Sequence, residues 1–141
     1  MIREIKFRGK RVNNGAWVYG YLTMCTDGSC YITTEIERNV LRYVKGKPSY
    51  VFTRIEYEVD PKTVGQYTGL KDKNGVGIYE GDIVQNELGE VFLVEYVRFG
   101  YVLKQTGEPW CKFPYEYDEY EVISNKWDDS SLLLGGKQDD S

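Results

Sequence analysis

The chain has 141 residues, a formal net charge of −4, 13 tyrosines and no histidine. The acidic balance argues against non-specific binding to phosphate backbones. The missing histidine removes Ser-His-Asp and Cys-His nucleophile pairs, histidine metal sites and the commonest general base.

Residues 2–8 alternate, with Ile5 and Phe7 on one face and Lys6 and Arg8 on the other, the pattern of a half-buried strand. Asn13-Asn14-Gly15 marks a turn into a second strand, Trp17 to Leu22, with three aromatics on one face. Asp27-Gly28 is a two-residue hairpin signal. It predicts that Thr26 and Ser29 close the turn and that Cys25 and Cys30 form the next cross-strand pair, where a disulfide is geometrically possible. Two thiols are the expected state of that pair in a reducing compartment. Residues 34–49 carry no clear pattern beyond an exposed loop at Lys45-Gly46-Lys47-Pro48. Val51, Thr53, Ile55, Tyr57 and Val59 keep period two and predict a strand.

Asp60-Pro61 is a natural boundary, since proline pushes the preceding residue out of the α region and a single helical turn can follow. Asp72-Lys73-Asn74-Gly75 supplies a hairpin turn and Glu80-Gly81-Asp82 another reversal. Val91 to Val97, Phe99 to Leu103 and Tyr115 to Ile123 read as strands; Ser124 to Leu134 reads as a short helix before a polar tail. The fold class is therefore mainly β: a β-rich region over 1–60, a small barrel or sandwich over 61–125, and a short helix or polar tail over 126–141. No apolar run reaches the roughly 18 residues that span a bilayer, and Met1–Lys6 is followed by no apolar signal core. The expected location is the cytoplasm.

Three segments together resemble the YopX family of phage and prophage proteins. The first is Ile5-Lys6-Phe7-Arg8-Gly9-Lys10 with Trp17-Val18-Tyr19-Gly20-Tyr21-Leu22. The second is Val59-Asp60-Pro61 through Val64-Gly65-Gln66-Tyr67-Thr68-Gly69-Leu70-Lys71-Asp72. The third is Ile78-Tyr79-Glu80-Gly81-Asp82-Ile83-Val84, followed downstream by Tyr120 to Asn125. Val76-Gly77 departs from the pattern, and Lys126-Trp127-Asp128-Asp129 is a divergent version of the closing segment. The resemblance implies that the N-terminal β-rich region packs on a C-terminal part similar to an SH3-type barrel, and that the chain comes from a phage or prophage genome. It brings no activity and no catalytic residue.

Two glycine patterns are turns. Gly69 to Gly77 lacks the Gly-Lys-Ser/Thr ending of a phosphate loop, and Gly75 to Gly81 has one residue too many for a dinucleotide fingerprint. Three cysteines without CxxC spacing make no structural zinc site, and no cofactor is expected. Glu116, Asp118, Glu119 and Glu121 form an acidic strand that would suit a metal-dependent hydrolase, or more simply a charged edge that discourages aggregation.

The leading expectation is a non-enzymatic accessory protein that binds a host or phage protein and self-associates. Trp17, Tyr19 and Tyr21, with the cations Arg3, Lys6 and Arg8 beside them, are its candidate contact residues. The alternative is a nucleic-acid-binding factor in phage replication or transcription, which requires the basic and aromatic faces to coincide.

Overall fold

The computed structural model describes residues 4–98, 100–108, 111–112 and 119–137. They form eleven strands and two 3-10 helices, with no α-helix among the described residues. Two compact units result. The N-terminal unit is Lys6–Val64; the C-terminal unit is the chain from Gly65 onward with Glu4 and Ile5.

In the N-terminal unit β1 (Phe7–Lys10), β2 (Trp17–Met24), β3 (Cys30–Val44) and β4 (Lys47–Val59) form an antiparallel meander in chain order. Cross-strand partners share a face, so the register assigns the core face. It carries Phe7, Val18, Leu22, Ile32 and Val59, and these residues pack with Cys30 and Val64. The free ends of β1 and β4 meet at one bridge, Arg11 with Val59, where Val12 N donates to Glu58 O and Asp60 N to Lys10 O. After Val59 the predicted single helical turn is present over Pro61–Thr63, with the Asp60 carboxylate accepting from Lys62 N at 3.0 Å. Lys10 N donates to Thr63 Oγ1, which binds this turn to β1 and carries the unit past Asp60 to Val64.

The β2–β3 turn differs from its prediction. Cys25 N donates to Ser29 O and Gly28 N to Cys25 O, so the loop is Thr26 to Gly28, three residues ending on a left-handed glycine (φ +93°). Asp27 Oδ1 accepts from Ser29 N and Ser29 Oγ, which fixes the longer loop and holds its carboxyl below the ordinary value. The register therefore moves by one residue. Cys30 pairs with Met24, Cys25 stands opposite Ser29, and Cys25 is exposed while Cys30 is buried. The expected Cys25–Cys30 cross-strand pair does not form, and both are thiols.

The C-terminal unit begins with a hairpin, β5 (Gly65–Lys71) and β6 (Gly77–Tyr79). Its five-stranded antiparallel sheet runs β10 (Cys111–Lys112), β9 (Gly100–Lys104), β8 (Val91–Val97), β7 (Asp82–Gln85), β11 (Glu121–Asn125). Ile78, Val84, Phe92, Val94, Leu103 and Tyr120 form its core, with Tyr120 edge-on to Phe92 at 5.9 Å. Each such side chain contributes about 1.5–3 kcal/mol by leaving water. Among the described residues no sheet closes into a barrel, so the mainly β class is borne out while the SH3-like barrel expected over 61–125 is not confirmed. The last described element of the C-terminal unit is a 3-10 helix over Ser130–Lys137.

Candidate interaction surfaces

The segments that dominate the sequence pattern are structural. Asp72 is buried, and its carboxylate accepts from Asn74 N, Val76 N and Val122 N at 2.8–2.9 Å. One side chain thus builds the β5–β6 turn and fastens it to β11. Gly81 (φ +92°) turns the chain between β6 and β7, and a Cβ there would lie 2.3 Å from the Trp127 ring. Asn125 Oδ1 accepts from Trp127 N and Asp128 N, holding that ring over the glycine. Asp82 closes the same reversal by accepting from Tyr79 N at 2.7 Å.

Among the described residues no group of three or more acidic or thiol ligands is placed to hold a metal. Of the acidic strand, Glu121 lies 3.9 Å from Lys73 Nζ on an exposed surface; Glu116 and Asp118 lie outside the described residues.

The candidate contact residues gather on one face of the N-terminal sheet. Arg8 pairs with Tyr19 and Lys10 with Trp17, so cations and rings project to the same side. The Arg8 guanidinium sits 4.6 Å from the Trp17 ring centre and Lys10 Nζ 5.6 Å. Arg8, predicted to face water, is only 4% exposed and is held against the indole rather than presented outward. Tyr19 and Tyr21 are 45% and 67% exposed, Trp17 and Lys6 half-buried. Arg3 lies outside the described residues. Farther along the same face Tyr31 pairs with Glu58, whose charge, ahead of burial, pushes the phenol above its ordinary value.

A second surface has no counterpart among the sequence-derived candidates. The β2–β3 pairing ends at Tyr21–Thr33, but β3 and β4 continue as a two-stranded arm to the turn at Lys45 and Gly46. Both turn residues have positive φ (52° and 78°), the geometry of a tight two-residue hairpin turn. At about 3.3 Å per residue the arm runs roughly 30 Å beyond Thr33. Among the described residues nothing covers either side. Ile36, Val40, Leu41, Tyr43, Val44, Tyr50, Val51 and Phe52 are all exposed, Tyr43 by 69% and Phe52 by 63%. The regular alternation Val51 to Ile55 predicts a buried face, yet burial begins only at Val59. At the arm's root, Thr33 O occupies the place of a Cβ on Gly20, only 2.0 Å from it. Only glycine lets β3 pass that close. The missed signal was the Lys45-Gly46 pair, a turn with strand-length flanks on both sides.

The comparisons agree with this architecture. A crystal structure of protein EF1440 from Enterococcus faecalis superposes with a TM-score of 0.59 at 21% identity, covering 94% of this chain and 99% of that one. At that identity the likeness concerns the fold. No curated protein matches the chain. The model of the YopX protein family matches residues 6–134, nearly the whole sequence, and the chain belongs to that family.

Proposed function

We propose that this YopX protein is a non-enzymatic accessory factor of phage or prophage origin, acting in the bacterial cytoplasm as a protein-interaction module. The observation that carries the reading is the set of large apolar and aromatic side chains held in water by regular strands of the N-terminal unit. Contiguous exposed apolar surface of this kind marks contact sites in folded proteins. Tyrosine and tryptophan suit such sites because they bury area while keeping a polar tip. Asp72, Gly81 and Asp82 shape turns, which leaves the contact function to the sheet face and the arm.

One observation favours the nucleic-acid alternative: Arg8 and Lys10 share a face with Trp17, Tyr19 and Tyr21. Against it, Arg8 is buried against the Trp17 ring. A tagged pull-down from infected-host lysate, with and without nuclease, tests the reading. The expected result is a protein retained after nuclease and lost from Tyr19→Ala/Tyr21→Ala. Proteins lost on nuclease treatment alone would transfer the function to nucleic acid.

A further inference from the structure

The arm deepens the interaction reading, on which this inference rests, because the pattern on one of its sides fits a second copy of itself. The register places Ile36 with Arg54, Arg38 with Phe52, Val40 with Tyr50 and Tyr43 with Pro48 on one side. That side is apolar apart from two arginines, which lie toward the root, while its tyrosines lie toward the tip. Arg38 already stacks on Tyr50 at 4.4 Å. The charges elsewhere on the arm are also segregated, with Glu35 and Glu37 at the root and Arg42, Lys45 and Lys47 at the tip. No ion pair joins these charges to one another among the described residues. A two-stranded ribbon in water is marginally stable by itself, and exposed apolar edges and faces invite association.

We propose that the apolar side of the arm is a self-association surface on which two copies lie antiparallel about a two-fold axis, tip over root. In that alignment Arg54 of one copy comes over Tyr43 of the second, and Arg38 reaches Tyr50 of the second. Val40 and Phe52 close the centre, and Ile36 faces Tyr43 at either end. A parallel alignment would bring the two Arg54 side chains to one level and the two Arg38 side chains to another, away from the tyrosines of the opposite copy, which costs energy at both levels. The self-complementary pattern is what an isologous interface requires.

The test is sedimentation velocity on the full chain, joined to cysteine cross-linking. Wild type is expected to be dimeric, and Val40→Asp/Phe52→Asp monomeric with an unchanged C-terminal unit, as read by tryptophan fluorescence in a Trp17→Phe background, where both remaining tryptophans belong to that unit. In a Cys25→Ser/Cys111→Ser background, Ile36→Cys mixed with Tyr43→Cys should oxidise to a 36–43 cross-linked pair in preference to 43–43. A monomeric wild type, a dimer indifferent to Val40→Asp/Phe52→Asp, or a dominant 43–43 cross-link would each overturn the proposal. So would a monomer that binds a labelled DNA oligonucleotide and loses it on Arg42→Glu/Lys45→Glu/Lys47→Glu. A monomer whose pull-down partner still depends on Tyr19 and Tyr21 would remove this inference and leave the interaction module standing.

Discussion

The chain contains two hairpins built on opposite principles. The β5–β6 hairpin is short, and its turn is bound by a buried carboxylate to a strand fifty residues away, Asp72 to Val122 N. The β3–β4 hairpin is long, and beyond Thr33 it is held, among the described residues, by its own ladder and a few side-chain contacts. Both turns use left-handed residues, Gly75 in one and Lys45 with Gly46 in the other. Turn chemistry therefore does not distinguish them; what the turn is fastened to does. A hairpin tied into a core serves folding. One left in water at this length presents its side chains to something else.

Breaking the fastened hairpin should have the largest effect. Asp72→Ala orphans three backbone donors, two in the turn and one in β11, and each hydrogen bond to a charged acceptor is worth about 1.5–3 kcal/mol. Because the three act together, the expected loss is about 4 kcal/mol, read as a lower urea midpoint; an unchanged midpoint would refute the fastening. Next comes Gly81→Ala, which combines a left-handed backbone with a collision against Trp127, for about 2–3 kcal/mol. Trp127→Ala should relieve part of that cost, so the double variant should be more stable than the two single effects added. On the arm, Gly46→Ala strains only the tip (φ +78°). It should cost about 1 kcal/mol locally and quicken amide exchange near residues 44–47 without moving the global midpoint.

The smallest effect is electrostatic. Burial pushes the phenols of Tyr67 and Tyr120 above the ordinary value of 10.0, with Glu119 and Glu90 adding repulsion at Tyr120 and Glu4 at Tyr67. The folded state thus holds these protons more tightly than the unfolded chain. Their contribution is complete below about pH 10 and declines as pH rises through the elevated folded values. Tyr120→Phe should flatten that alkaline decline in urea midpoint against pH, and an unaltered slope would remove Tyr120 as its source.

How much of this was legible follows from where each constraint lies. Strand existence was for β2, β8, β9 and most of β4, because period two needs only local sequence, but not for β3 beyond Thr33, where the pattern is unclear; the Asp60-Pro61 turn was, since proline acts on its immediate neighbour. The partition of faces on β1 and β2 was half legible. Alternation put Arg8 opposite Phe7, but only the Arg8–Tyr19 register shows that it shares a side with the aromatics. The bare arm was hidden because it depends on which strand lies next door, and Val51 to Ile55 would read the same whether a core covered it or not; the Cys25–Ser29 register was missed for a local reason, the Asp27 carboxylate that favours the longer loop. The wide separation of Asp72 from Val122 is equally silent in a local window.

The arm's composition also makes it a built-in clock. Arg38, Arg42, Lys45, Lys47 and Arg54 are the residues after which trypsin cuts, although proline at position 48 blocks the cut after Lys47, and all five are exposed on the ribbon. A protease needs an opened segment, and a segment with few buried contacts opens at low free energy long before the whole chain unfolds. Digestion should therefore nick the arm first and leave both sheets whole. The rate of that first nick measures, minute by minute, how often the ribbon comes apart, and anything that settles on it will be seen as the clock slowing.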